Sequence, residues 1–167
     1  MDSDWIDCAI ALGSNLGNCR RTLENALNTL AETPGIKELK PSSWYRTAPV
    51  GPPQPDYLNG CATCQVQLEP EVLLDRLLAI ETQYGRTRGE RWGPRTLDLD
   101  LLLFGDRIYQ SDRLQIPHPR LRERAFVLVP LAEIAPNWID PVSGKAIAEL
   151  AQALDRGGIE KIKNSVL

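Results

Sequence analysis

Asp98-Leu99-Asp100-Leu101-Leu102-Leu103-Phe104 is the stretch whose reading decides the fold. Its leucine run enters a core, so 98–104 reads as a strand. It is also the last of six elements, which become visible by working back towards the N-terminus. A helix from Pro70 to about Tyr84 precedes it, with Leu73, Leu74, Leu77, Leu78 and Ile80 at helical spacing, Pro70 in its first turn and Gly85 as its stop. Before that helix, Tyr57 to Leu68 alternates as a strand. Lys37 to Thr47 reads as another strand. A helix from about Cys19 to Glu32 carries Leu23, Ala26, Leu27 and Leu30 and ends at Pro34-Gly35. Asp7 to Leu12 is apolar on both faces, as a buried central strand is, and Gly13 to Asn18 reads as a turn.

The order is strand, helix, strand, strand, helix, strand. This is the α+β, ferredoxin-like order: an antiparallel sheet with helices packed on it. Beyond Phe104, Ile108-Tyr109 reads as a short edge strand. Ala125 to Ile134 and Ala146 to Leu154 read as extra C-terminal helices. At 167 residues the chain is expected to form one domain, 1–167, with 1–6 and 156–167 as flexible or peripheral ends.

Composition narrows the function classes. A formal charge of −3 argues against a nucleic-acid binder, which carries a basic surface. No apolar run approaches the roughly 20 residues of a membrane helix. Met1-Asp2-Ser3-Asp4-Trp5 lacks the basic and apolar regions of a signal peptide. A cytoplasmic protein is expected. Cys61 and Cys64 form a C-x-x-C, but on a strand residues three apart face opposite ways, so they cannot converge on one metal.

The chemistry sits around the decisive strand. Asp98 and Asp100, two apart, project from one face while Leu97, Leu99 and Leu101 point to the other. Two acids entering a sheet repel unless a cation compensates, and a rigid carboxylate pair suits Mg²⁺; a solvated polar face is the alternative. Arg86, Arg88, Arg91 and Arg95 precede the pair in a loop pinned by Gly93-Pro94. Guanidinium forks suit phosphate oxygens, so arginines beside paired aspartates imply a polyphosphate with Mg²⁺. No Walker loop is present. Glu81 falls on the inward stripe of its helix, either paired or part of a site. Trp92, Tyr57, Asn59, Trp44 and Tyr45 lie near the two irregular loops, the Pro-rich one (Pro49, Pro52, Pro53, Pro55) and the arginine-rich one; a flat heteroaromatic ligand needs such faces and amides.

The chain resembles the 6-hydroxymethyl-7,8-dihydropterin pyrophosphokinase family. The resemblance is carried by Ala11-Leu12-Gly13-Ser14-Asn15-Leu16-Gly17, Ser43-Trp44-Tyr45-Arg46-Thr47, Gln54-Pro55-Asp56-Tyr57-Leu58-Asn59, Glu90 to Asp100, Ile116-Pro117-His118-Pro119 and Pro130 to Pro136. It implies transfer of diphosphate from ATP, the co-substrate, to a hydroxymethyl pterin. It further implies two Mg²⁺ ions on Asp98 and Asp100, and Arg86 and Arg95 as phosphate clamps. Further ATP contacts implied are Glu81, Arg88, Arg91, Trp92, Leu101, Arg113, His118 and Arg124. For the pterin it implies Thr47, Val50, Tyr57, Asn59, Trp92 and Phe126. Only small-molecule partners are expected, with no nucleic acid and no membrane, for a monomer. Ala48 stands where a proline is common in the family, and Pro119 where some members have tyrosine. The rival expectations are a catalytically silent nucleotide-binding domain and an RNA-reading ferredoxin-like module, the latter needing exposed aromatics on a basic sheet face.

Overall fold

The computed structural model describes residues 4–48, 53, 55–84 and 96–162. Strand β1 (Ile6–Ser14) lies at the centre of the sheet, between β4 (Tyr57–Val66) and β5 (Asp98–Phe104), antiparallel to both. Helix α1 (Cys19–Ala31), strands β2 (Ile36–Pro41) and β3 (Tyr45–Thr47), and helix α2 (Pro70–Gln83) complete the first part of the chain. The sheet order is β5-β1-β4-β3-β8, where β8 is Ile159–Lys161, and β2 also pairs with β4. The α+β, ferredoxin-like reading is the one observed.

Alternation along β1 explains its central place. Cys8, Ile10 and Leu12 join Leu99 and Leu101 of β5 in a core covered by α1 (Leu23, Ala26, Leu30) and α2 (Leu73, Leu77, Ile80). Burying each such leucine or isoleucine is worth about 1.5–3 kcal/mol. Ala9 and Ala11 face the other way, into a second core with Cys61, Leu103 and helices α3 (Ala125–Ile134) and α4 (Ile147–Gln152). Cys61 and Cys64 thus belong to different faces, and all four cysteines are free thiols. Asn18 caps α1 by accepting the Arg21 N–H at 3.2 Å, and Gly35, at φ +89°, turns the chain into β2.

Four expectations change. Gly13 and Ser14 are the last residues of β1 rather than a turn. The single strand from Lys37 to Thr47 is two strands. Ser42 interrupts it: its N–H donates to the Cys61 carbonyl at 2.8 Å, and its Oγ accepts the Cys61 N–H at 2.9 Å. A side chain has replaced a ladder carbonyl, so the chain steps out. Trp44 then lies over Gly60, where a Cβ would come within 2.6 Å of the ring. Ile108 is exposed; among the described residues β6 (Tyr109–Gln110) pairs only with β7 (Gln115–Ile116), as a hairpin apart from the main sheet. Finally, the C-terminal stretch contains β8, which pairs residue for residue with β3 as an edge strand.

Candidate active site

The second face of the sheet is where the chemistry gathers. Ladder register puts Asp98, Gly13, Asn59 and Tyr45 in one row across β5, β1, β4 and β3, and Asp100, Ala11 and Cys61 in the next. Directly paired residues point the same way. Gly13 and Ala11 therefore form a low floor, with the two aspartates on one side and Asn59, Thr47 and Tyr57 on the other. Arg124, Phe126 and Val127, at the start of α3, supply the roof. Together with Leu12, Ala48 and Gly60 these residues line a cavity of about 260 Å³. That is at the small end for a ligand site and suits one heterocycle rather than a heterocycle and a nucleotide together.

Asn59 is held in place. Its Nδ2 donates to Thr47 Oγ1 at 2.6 Å, and its Oδ1 lies over Gly13, where a Cβ would stand 2.8 Å away. The amide can thus meet a donor–acceptor edge without reorienting. On the opposite side, Glu81 is almost fully buried and its Oε2 accepts the Leu99 N–H at 2.7 Å. Leu99 lies between the two aspartates, so α2 fixes the strand segment that presents them.

Arg124, half-buried at the N-terminus of α3, has its guanidinium 5.6 Å from the Phe126 ring centroid. Burial pulls the Arg124 guanidinium below its ordinary range, and the Asp100 charge opposes this. His118 sits beside Asp100. Burial lowers the imidazole, Asp100 raises it, and Arg124 and Arg120 lower it further, with a net downward shift. His118 Nδ1 accepts the Arg120 N–H at 3.1 Å, which leaves Nε2 to carry the proton of the neutral ring. Asp100 makes no ion pair among the described residues, although its charge acts on both His118 and Arg124.

Of the residues singled out from sequence, the cavity brings together Thr47, Tyr57, Asn59, Asp98, Asp100, Arg124 and Phe126. Glu81 stands behind the strand, with His118 nearby. Two are not brought in. Leu101 is buried in the α1/α2 core, because its parity on β5 is that of Leu99. Arg113 is held on the side of α2 by ion pairs to Asp75 and, at 3.4 Å, Glu71. Val50, Arg86, Arg88, Arg91, Trp92 and Arg95 lie outside the described residues. Sequence reasoning missed Ala11 and Gly13 as the floor; the small residues at alternating positions 9, 11 and 13 were the available clue.

Fold and site define a ferredoxin-like α+β protein in which a carboxylate pair and an aromatic–amide cleft share one sheet face. The family model for 7,8-dihydro-6-hydroxymethylpterin-pyrophosphokinase matches residues 9–136. A Synechocystis 2-amino-4-hydroxy-6-hydroxymethyldihydropteridine pyrophosphokinase is 55% identical over 146 residues, covering 87% of this chain and 75% of the relative. The protein of the same name from Pseudomonas aeruginosa is 44% identical, over 92% of this chain and 94% of its own. The chain belongs to the 7,8-dihydro-6-hydroxymethylpterin-pyrophosphokinase family. Among solved structures, Plasmodium falciparum HPPK-DHPS A437G with SDX-DHP has the same fold, with a TM-score of 0.72 at 15% identity over 96% of this chain. An HPPK-DHPS in complex with substrates gives 0.66 at 13% identity over 89% of it. The chain spans less than half the length of these two solved chains, 49% and 45%.

Proposed function

We propose that this chain transfers the diphosphate of ATP to the hydroxymethyl group of 6-hydroxymethyl-7,8-dihydropterin, giving AMP and the pterin diphosphate for tetrahydrofolate biosynthesis. The observation that carries the reading is the shared face: Asp98 and Asp100 lie across the Gly13–Ala11 floor from Asn59, Thr47 and Tyr57. A ring read by Asn59 and packed between Tyr57 and Phe126 would direct its substituent towards the carboxylates. In the reaction the acceptor hydroxyl oxygen bonds to the β-phosphorus. The bond from that phosphorus to the oxygen bridging the α-phosphate breaks, and AMP leaves with that oxygen. We assign the hydroxyl proton to Asp98.

The donor set fits Mg²⁺. Asp98 and Asp100 share one side of a rigid strand, both are half-buried, and oxygen-only ligands of this kind suit a hard cation. We assign both residues to hold two Mg²⁺ ions, which when bound neutralise triphosphate charge and acidify the acceptor hydroxyl. Arg124 and the Nε2–H of His118 then face the phosphate chain as donors. Family likeness supports Arg86 and Arg95 as the phosphate clamps, Arg88, Arg91 and Trp92 as further ATP contacts, and Val50 and Trp92 beside the pterin. The same likeness supports Arg113 as a further nucleotide contact, for which it would exchange its Asp75 and Glu71 partners, and Leu101, buried on the opposite face, as a neighbour of the site.

An RNA-reading module is disfavoured, because α3 and α4 cover the face such a module exposes and two aspartates occupy its open part. Among the described residues no helix is long and apolar enough to cross a membrane. Four free thiols suit a reducing compartment, and the proposal is a single-domain cytoplasmic monomer acting on small molecules alone. The test is AMP formation from ATP by the purified protein, dependent on both Mg²⁺ and the hydroxymethyl pterin. AMP release that is absent, or equal without the pterin, would overturn the reading.

A further inference from the structure

Glu133 sits in the last turn of α3, away from the cavity, yet three donor groups converge on its carboxylate. The Ser43 N–H reaches both oxygens, at 3.2 and 3.1 Å, and Ser43 Oγ donates to Oε2 at 2.9 Å. Tyr45 Oη donates to Oε1 at 2.6 Å. Tyr45 is buried. Such convergence on a partly exposed carboxylate is more than a helix needs to pack against a sheet.

What the carboxylate joins gives the contact its meaning. Phe126 and Glu133 are seven residues apart on α3, two turns, and so share a face of that helix. One end of the face roofs the cavity and the other grips residues 43–45. Strand β3 is only three residues long. Its far end is Thr47, whose hydroxyl fixes the Asn59 amide. The ladders of β3 to β4 and β8 fix its register in the sheet, and the Glu133 contact is a side-chain tie between that strand and α3. The clasp from Glu133 to Ser43 and Tyr45 thus ties the strand that ends at Thr47 to the helix that carries Phe126.

We propose that Glu133 is a positioning residue for the acceptor half of the site, acting through Ser43 and Tyr45 on the width of the cleft that takes the pterin. The inference rests on the functional reading above. Loss of alignment at a bound group costs roughly ten- to a hundredfold in effective positioning. Glu133→Ala is accordingly expected to raise the pterin KM roughly tenfold or more and to leave the KM for ATP unchanged. Tyr45→Phe, which removes one donor and keeps the ring, should shift the pterin KM in the same direction by less. Glu133→Gln should lie between wild type and Glu133→Ala. In the Glu133→Gln/Tyr45→Phe double variant the effects should be less than additive, since both act on one contact.

Steady-state kinetics in both substrates and calorimetric titration with the hydroxymethyl pterin, on variants shown to be folded by circular dichroism, read this out. Wild-type pterin affinity in folded Glu133→Gln and Tyr45→Phe would overturn the proposal, as would parallel losses for ATP and pterin. A wild-type protein that binds the pterin but forms no AMP would instead overturn the functional reading, with the calorimetric comparison still deciding the role of Glu133.

Discussion

Glu81 accepts the backbone N–H of Leu99, the residue between Asp98 and Asp100, at 2.7 Å. Strand β5 is an edge of the sheet, so this N–H would otherwise be an unsatisfied donor beside the core. Glu81→Ala is expected to cost about 1–3 kcal/mol of stability, the range for a buried donor left unpaired. It should also lower kcat, because the segment presenting both aspartates loses its support. Urea denaturation alongside initial rates checks both parts; full activity in the folded variant would separate Glu81 from the aspartates.

Gly13→Ala tests the floor. The added Cβ would stand 2.8 Å from Asn59 Oδ1, and Asn59 cannot yield without giving up its bond to Thr47. The expected outcome is a pterin KM raised roughly tenfold, the scale of a displaced binding group, with the ATP KM unaltered. Measuring the two KM values is sufficient.

Asp100→Ala should separate stability from activity. Asp98 repels Asp100 across one strand face while Arg124 and His118 attract it, so removing Asp100 is expected to change the stability of the fold little. Turnover should fall roughly a thousandfold or more, as when an electrostatic stabiliser of a transition state is lost. A melting curve with an AMP assay reads both, and retained AMP release would remove Asp100 from the chemistry.

Thiol reactivity should follow burial. Cys8, Cys61 and Cys64 are buried in the two cores and burial pushes all three thiols upward, Cys64 to about 12, whereas Cys19 is partly exposed. Titration of the native protein with a thiol reagent is expected to modify Cys19 rapidly and the other three only after denaturation. Early modification of Cys61 or Cys64 would contradict the two-faced packing of β4.

Acid stability should depend on Glu133. Burial raises its carboxyl, but the bonds from Tyr45 and Ser43, with the Lys161 charge, outweigh that and hold it below the ordinary value of 4.5. A depressed carboxyl contributes stability that is fully present above the unfolded value. That contribution is lost as pH falls through the lower folded value. Chemical denaturation of wild type between neutral pH and pH 3 should show a decline below about 4.5 that is shallower in Glu133→Gln.

The strand–helix order was legible because each element carries its own period. Cys8, Ile10 and Leu12 alternate, Leu23, Ala26 and Leu30 recur at helical spacing, and Asp98 and Asp100 sit two apart on a strand. The break at Ser42 was hidden because it depends on a hydroxyl replacing a carbonyl of a distant strand, with Gly60 making room for Trp44. Strand β8 was hidden because three residues have no period to show. The acidic and amide halves of the site could be named separately. Their meeting across Gly13 is a matter of register, which only the pairing of β1 with both neighbours reveals. The ion pairs of Arg113 were hidden for a related reason: they join it to Asp75 and Glu71 on α2, carboxylates distant in sequence.

The floor of alanine and glycine on β1 has one more consequence. Where Ala9, Ala11 and Cys61 meet Val127 and Leu131, the second face is filled by the protein's own side chains; towards Gly13, among the described residues, that filling gives way to the cavity. On the proposed reading the pterin ring is the missing layer of that core. Recognising the acceptor and finishing the interior would then be a single event, and the protein would be completed, rather than merely occupied, by its substrate.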